Sequence, residues 1–525
     1  MIPDRVEVLI VGCGPVGLVA AGLLGATGIS TLVIERNPTT SDEAKAISLD
    51  DESLRVLQRG GLVDDVYPIL YPGTGTRYYG ADGRLLVHAK GRQPYRLGHP
   101  FKSAFAQPDL ERALLDAVRR SPSVQVSFEV ELTELAQSDV SVESTVRLRD
   151  GTCATIRSDY VIGCDGAKST ARRQLEVNMM GDTIDDAWIV VDTLNDPHQE
   201  RFGMHHGEPR RPHVVIPGRN GRCRYEFRLN RGEFNEADPT AGMKELAISL
   251  ISRFRDIGPQ DVERCTAYRF HALVAERWRV GRVLLAGDAA HMMPPFAGQG
   301  LNSGVRDVEN LCWKLVSVLQ GRASDRLLDT YQTERKPHAQ AMVDLSARLG
   351  RIVMTSKPMV AKARDLLVHA ATKLPQSRRY LSEMRFRPAA IYREGFVVPN
   401  GDKGLVGRMI PQPRVLDANG RMVLLDDILG PGFALLGVAC DGDAWVDAKD
   451  LDGLGCRLVD VALDDMGARD VDGRVGMCDA DGRVHELLSP YRGQMLLVRP
   501  DRFVAAAVPP KELPDVAARL AQFAP

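Results

Sequence analysis

The stretch that decides the fold is VEVLIVGCGPVGLVAAGLLGATGISTLVIE, residues 6–35. A short apolar run ends at Gly12. A glycine-rich turn follows, then residues at helical spacing as far as Gly28, then a second apolar run that closes on Glu35. Strand, turn, helix and strand in this order make a βαβ unit with a parallel pair of strands. Gly12, Gly14 and Gly17 have the spacing Gly-x-Gly-x-x-Gly. Glycine is needed where the chain turns tightly and where backbone must approach a pyrophosphate. The helix opening at Pro15 turns unpaired N–H groups and a positive dipole end toward the phosphates. Glu35, at the end of the second strand, is placed to accept hydrogen bonds from ribose hydroxyls, and Arg36 follows it at the same edge. The unit predicts a bound dinucleotide.

The same region holds the longest apolar run of the chain, residues 8–35. Six glycines and a proline interrupt it, and Asp4 and Glu7 stand where a signal peptide carries basic residues. Neither a membrane span nor a secretory signal is expected. A length of 525 residues predicts two to four domains. The net charge of −2 gives no electrostatic reason to expect nucleic acid or an anionic membrane as partner. Nine scattered cysteines make no Cys-x-x-Cys pair. That pattern excludes a zinc ribbon, predicts no metal, and fits free thiols in a reducing cytoplasm.

Along the chain, amphipathic helices are predicted at 51–62 and 109–121, and strands at 124–135 and 144–166. The chain becomes strand-rich from about 185 to 270 and helical from about 300 to 390. Residues 396–415, rich in proline and glycine, read as a linker. The tail beyond has its own strands and a final helix, and is domain-sized.

A second motif lies far downstream: GDAAHMMPPFAGQGLNSGVRD, residues 287–307. Asp288, at the end of an apolar run, suits the hydroxyls of a ribityl chain. Pro294 and Pro295 fix the backbone so that a flat ring can lie against it. Gly298 and Gly300 let main chain approach that ring. The N–H groups of Gly300, Leu301 and Asn302 then head a helix, and a helix start favours negative charge such as a reduced flavin carries. Two sites so far apart in sequence suit a long, extended cofactor, which favours FAD over NAD. His291 is expected to support the fold. Between the two motifs, Cys164-Asp165-Gly166 ends a strand, and Ser169 and Arg172 follow at helical spacing. Asp165 reads either as part of a pyrophosphate site or as a helix cap.

Gly12–Gly17, the Cys-Asp-Gly stretch and Gly287-Asp288 together resemble the FAD-dependent aromatic hydroxylases, single-component flavin monooxygenases. Residues 274–315 are most similar to the 3-(3-hydroxyphenyl)propionate hydroxylase group. The resemblance implies an α/β fold: a Rossmann-like FAD-binding domain of the p-hydroxybenzoate hydroxylase type, an inserted β-rich substrate domain, and a thioredoxin-like C-terminal domain. It divides the chain into FAD-binding segments at 1–72, 100–180 and 270–395, substrate segments at 73–99 and 181–269, and a tail at 396–525. The tail's lack of Cys-x-x-Cys argues against thiol exchange there. The resemblance also implies FAD contacts from Gln107 and Leu132, and from Lys45 where the family usually has arginine; the charge is kept but the bidentate fork is lost. It further implies NADPH or NADH as co-substrate, O2, and a small aromatic substrate, with a C4a-hydroperoxyflavin transferring oxygen to the ring, and it allows a homodimer.

A base near the flavin is expected, but no residue is singled out for it. The stretch 201–231 is unusually cationic. Within it Arg211, His213, Arg224 and Tyr225 are the candidate substrate contacts, with Tyr268 a further one. Two rival readings are a tailoring hydroxylase of natural-product biosynthesis and a flavin-binding sensor or assembly module without turnover. A halogenase is disfavoured because the chain has no Trp-x-Trp-x-Ile-Pro stretch. Two-dinucleotide reductases are disfavoured because it has no second Gly-x-Gly-x-x-Gly.

Overall fold

The computed structural model describes residues 2–525 except 43–44, 74, 92, 236–237, 239, 403 and 464–468. The βαβ unit forms as read: strand Arg5–Val11, helix Pro15–Gly25 and strand Thr31–Glu35. Both strands are apolar along nearly their whole length because both faces are buried, with helix Pro15–Gly25 and strand residues such as Leu132, Val142 and Val146 in the same core, leaving no wet side to favour alternation. Arg5–Val11 is central. It pairs in parallel with Thr31–Glu35 on one side and with Cys153–Gly163 on the other. Val283–Leu285 and Val124–Phe128 extend the parallel sheet outward. Cys164 and Gly287 thus follow strands that run beside the first one, and both turns emerge at the carboxyl end of the sheet, where open α/β sheets bind ligands.

A second sheet of eight strands stands over that end. Its centre is the long pair Met179–Thr193 and Val262–Ala275. The strands Cys223–Arg228, His213–Pro217, Phe202–His206, Gly75–Tyr79 and Leu85–Ala89 continue it in that order. Strand alternation gives this sheet two different faces. Met204, Val215, Tyr225 and Phe227 pack with Met243, Ala247, Leu250 and Ile251 of the helix Met243–Ile251. Val214, Ile216 and Glu226 face the other way, toward the first sheet.

The helix Gly300–Leu319 runs from the carboxyl end of the first sheet into the molecule's centre, followed by helices Asp329–Val353, Pro358–Thr372 and Pro375–Ser382. The tail forms a third sheet of seven strands. In it Ala434–Val438 and Arg457–Ala462 pair in parallel. Met495–Val498 joins Ala434–Val438 antiparallel, and Val504–Val508 closes the edge. The segment read as a linker is not a free tether. Phe396 and Val398 are buried in one core of the tail, and Leu405, Val406 and Ile410 in another. Proline and glycine set its turns, while its apolar residues supply a packing surface that composition alone does not reveal.

Candidate active site

Three segments of main chain meet around one cavity of about 950 Å³. The turn after the first strand brings Gly12, Gly14 and Pro15. Gly12 has φ +105°, and a Cβ on it would lie 2.5 Å from the Cys164 carbonyl oxygen. Gly17 stands behind the cavity wall; a Cβ there would sit 2.1 Å from the Gly12 carbonyl oxygen, so its absence lets the helix close on the turn. Gly14 lines the cavity, and a Cβ on it would meet no atom within 4 Å. An open space beside bare backbone, at a helix N-terminus, is the cradle a pyrophosphate needs. Glu35 faces the same space. Its carboxylate accepts from the Cys13 N–H at 3.1 Å and the Asn37 N–H at 3.0 Å, which fixes it at the rim with lone pairs to spare. Arg36 is exposed beside it, and Leu132 is buried against the same wall.

The loop carrying Lys45 is held in place by Gln107. The Gln107 Oε1 accepts from the Lys45 and Ala46 N–H groups at 2.9 and 2.6 Å, while its Nε2 donates to Glu111 at 2.8 Å. The side chain is buried and its polar atoms are committed to this loop. Asp165 also lines the cavity, but its carboxylate caps the short helix Thr170–Gln174. It accepts from the N–H groups of Thr170 at 2.6 Å and Ala171 at 3.0 Å. Arg172 donates to the carbonyls of Ala289 at 3.0 Å and Ala167 at 2.8 Å, tying this helix to the third segment.

The third segment is the turn before helix Gly300–Leu319. Asp288, Pro295, Gly298, Gly300 and Leu301 line the cavity. Among the described residues no side-chain hydrogen bond occupies the Asp288 carboxylate, which is exposed to the cavity. Burial raises its proton affinity, and Lys45 and His291 oppose that rise. Asn302 does not reach the cavity with its side chain. Its Oδ1 accepts from the Asp50 N–H and the Ser53 hydroxyl, at 3.0 and 2.7 Å, and its Nδ2 donates to the Ser48 and Gly298 carbonyls. The helix start is thereby pinned, and Gln299 gives it no side-chain cap. The first N–H groups of the helix remain available to a ligand. His291 is buried, with Nε2 donating to Asp307 at 2.6 Å; it belongs to the scaffold.

The residues that line this space fit FAD: bare backbone at a helix start for the pyrophosphate, a carboxylate at the ribose end, and a free carboxylate with a proline- and glycine-lined turn at the far end. Past that turn the cavity continues into a chamber walled by Val214, Ile216, Phe270 and Phe296. Phe270 and Phe296 meet edge to face, with ring centroids 5.5 Å apart.

Of the expected substrate contacts, Tyr268 faces the cavity, whereas four others lie elsewhere. Arg211 is bound to Glu233 at 2.5 and 2.8 Å. His213 stacks on His206, centroids 4.4 Å apart, and its Nδ1 donates to the Arg211 carbonyl. The Tyr225 hydroxyl donates to Asp196 at 2.9 Å. His213 and Tyr225 sit at odd positions of their strands, which point to the face covered by helix Met243–Ile251. Arg224 has the right parity, but it is buried, paired with Asp192 at 2.7 and 2.9 Å, and it donates to the Lys45 carbonyl. It braces the Lys45 loop.

The polar groups that reach the chamber include Thr76, Tyr78, Lys102, His205, Glu226, Tyr268 and Arg387. Burial and nearby Lys102 push the His205 imidazole down to about 3, so it is neutral at pH 7. Burial raises Glu226 above the usual carboxylate range, against the pull of Arg224 and Lys102. Burial and Arg387 bring Lys102 down to about 8. Lys102 opens the strand Lys102–Ala104, which pairs with Ser48–Asp50 just after the Lys45 loop, and no motif marks it. Arg387 follows the last of the long helices, in a stretch without any motif.

The sequence matches the FAD binding domain family over residues 5–346 and the HcaD C-terminal domain family over residues 407–523. It is 37% identical over 528 residues to a 3-(3-hydroxy-phenyl)propionate/3-hydroxycinnamic acid hydroxylase of Escherichia coli, covering 98% of this chain and 94% of that protein. The hydroxylase of the same name from Klebsiella pneumoniae is 37% identical over 518 residues, covering 97% and 92% of the two chains. Among solved structures, the flavin-dependent monooxygenase PieE, in complex with FAD and substrate, superposes with a TM-score of 0.81. It is 26% identical and covers 99% of this chain and 100% of its own.

Proposed function

The chain belongs to the family of FAD-dependent aromatic hydroxylases, and from that premise we propose that it hydroxylates a meta-substituted phenol bearing a carboxylate side chain, 3-(3-hydroxyphenyl)propionate being the reference compound. Oxygen enters ortho to the phenol hydroxyl. FAD, reduced by NADH or NADPH, supplies the redox chemistry and the activation of O2; the protein supplies position, dryness and charge. Gly12, Gly14 and Pro15 receive the pyrophosphate. Glu35, Arg36 and Leu132 hold the adenosine end, and Lys45 adds charge near the phosphates. Asp288 accepts from the ribityl chain. Pro295, Gly298, Gly300 and Leu301 seat the ring. Gln107, Asp165 and Asn302 hold these segments in place. The apolar walls of the chamber keep water from the reacting atoms, which limits loss of reducing power to peroxide.

The observation that carries this reading is the continuity of the cavity: the cradle at Gly14, the turn at Gly298–Leu301 and the phenylalanine-walled chamber open into one another. A non-catalytic flavin module is disfavoured by relatives of nearly equal length that are hydroxylases. The test is NAD(P)H oxidation by the FAD-loaded protein, with and without 3-(3-hydroxyphenyl)propionate, and identification of the product by mass. Substrate-stimulated oxidation with a product one oxygen heavier is expected. Stimulation that yields only hydrogen peroxide would overturn the substrate assignment. Nine free thiols support a cytoplasmic location. Exposed apolar residues on helix Pro358–Thr372, among them Met359, Leu366 and Leu367, support a homodimer.

A further inference from the structure

Two cations, Lys102 and Arg387, face the aromatic chamber without being held in an ion pair among the described residues. The Lys102 Nζ donates to the Thr76 hydroxyl at 3.2 Å. The Arg387 Nη2 donates to the Ala297 carbonyl at 3.4 Å, and its Nε is buried without a partner. Among the described residues neither side chain forms a salt bridge. The carboxyls near them are buried or engaged with other groups. Glu226, across from Lys102, is held up by burial. Asp50 accepts from the Ser53 N–H and pairs with Arg306 at 2.5 Å. Asp51 is pushed up to about 7 by burial and by its acidic neighbours. His205 is neutral, and the Tyr78 phenol is raised by burial, so neither supplies a charge.

We propose that Lys102 and Arg387 together receive the carboxylate of the aromatic substrate, with the ring packed between Ile216, Phe270 and Phe296. The proposal rests on the hydroxylase reading above. Two cations held in no ion pair beside aromatic walls are unfavourable, and an entering carboxylate relieves both. The chemistry is complementary: a planar guanidinium offers two parallel N–H donors to a carboxylate, and an ammonium adds a point charge with free protons. A chamber with aromatic walls and this cationic pole suits an aryl ring with one anionic arm. The lowered Lys102 adds a sign. The unliganded side chain is charged below about pH 8 and loses its proton above it, so carboxylate binding weakens as pH rises through that value.

The experiment compares binding of 3-(3-hydroxyphenyl)propionate and its neutral amide to FAD-loaded wild type, Lys102→Met and Arg387→Met, by equilibrium dialysis without reductant. Wild type should prefer the acid. Each variant should lose about 10- to 100-fold of that acid-over-amide preference, the range for one charged hydrogen-bonding partner. In Lys102→Met the weakening above about pH 8 should vanish. Thermal midpoints should hold or rise, since an unmatched cation is removed. Equal losses for acid and amide would place the cations on the phenol or the flavin and overturn the proposal. So would a wild type that binds both ligands alike. Acid-selective binding lost in the variants, with no hydroxylated product from wild type, would keep the carboxylate site and defeat the hydroxylase assignment instead.

Discussion

At the scale of single residues, function here is a matter of which atoms the backbone leaves uncovered. Asp288 lies in the turn just after strand Val283–Leu285, and its carboxylate opens onto the cavity that Gly14 also lines. Replacing it by alanine should loosen FAD by about 10- to 100-fold, the loss of one charge-assisted acceptor at about 1.5–3 kcal/mol. Fluorescence titration of the apoprotein with FAD measures this, and a variant that loads as tightly as wild type would refute the role. The two glycines of the first turn divide along the same line. Gly14→Ala puts a methyl group into open space, so it should fold normally yet bind FAD poorly. Gly12→Ala drives a Cβ into the Cys164 carbonyl at a positive φ, so it should lose stability even without cofactor. Circular-dichroism melts of both apoproteins separate the two cases. These glycines were legible in the sequence because backbone geometry dictates their spacing. The substrate contacts were not. A run of arginines and histidines between 201 and 231 marks strands, but not which face each side chain takes. Lys102 and Arg387, which do reach the chamber, are 285 positions apart in the chain and meet only through the fold.

Among the elements, helix Gly300–Leu319 departs most from its sequence pattern. Val305, Val308, Leu311, Cys312 and Leu315 are buried as their spacing requires, yet so are Arg306, Asp307, Glu309, Asn310 and Lys314 on the other faces. Amphipathic spacing predicts one wet side; here sheet, neighbouring helices and tail enclose the helix, and its polar residues find partners instead of water. Asp307 joins three of them. It accepts from His291 at 2.6 Å, from the Gly287 N–H at 3.2 Å and from Arg335 at 3.1 Å. Despite burial, His291 and Arg335 hold its carboxyl below the usual range. A folded value lower than the unfolded one stabilises the native state above the ordinary carboxylate pKa, and the effect is lost as pH falls through the folded value. Asp307→Asn strands a buried arginine and should cost about 3–5 kcal/mol near neutral pH. Urea unfolding at several pH values checks both parts, because the gap between wild type and variant should narrow as acid protonates the wild-type carboxyl. Release of the Gly287 N–H beside Asp288 should also loosen FAD. An unchanged urea midpoint at pH 7 would contradict this account.

Over the whole molecule, the tail is fastened to the FAD-binding part by buried ion pairs that no composition shift announced. The Arg499 guanidinium donates to both oxygens of Glu334 at 2.8 Å, and Lys314 reaches the same carboxylate at 2.8 Å. Arg55 grips Asp426 at 2.8 and 2.6 Å. The cations bring Glu334 down to about 2, so this fastening is complete above the ordinary glutamate range and fades as pH falls toward 2. Arg499→Met leaves Glu334 and Asp501 short of their partner. It should cost about 3–5 kcal/mol and split one calorimetric transition into two, the tail melting first; a single transition at the wild-type midpoint would dismiss the idea. The proline- and glycine-rich segment read as a linker is in fact part of this junction, since turn residues and packing residues alternate along it. Met359, Leu366 and Leu367 of helix Pro358–Thr372, and Leu374 just beyond its end, are each more than half exposed, at 79%, 72%, 69% and 61%. Met359, Leu366 and Leu367 fall on one side of helix Pro358–Thr372, and a group of exposed apolar side chains of this size is ordinarily covered by another surface. A second copy of the chain is the economical partner, because a two-fold contact buries the same group twice and needs no other protein. Leu366→Glu combined with Leu367→Glu would set four carboxylates in such an interface, where unpaired charge is strongly disfavoured. Light scattering during size exclusion should then report a dimer for wild type and a monomer for the double variant, both still yellow with FAD. A wild-type monomer, or a dimer untouched by the two glutamates, would remove this face from consideration.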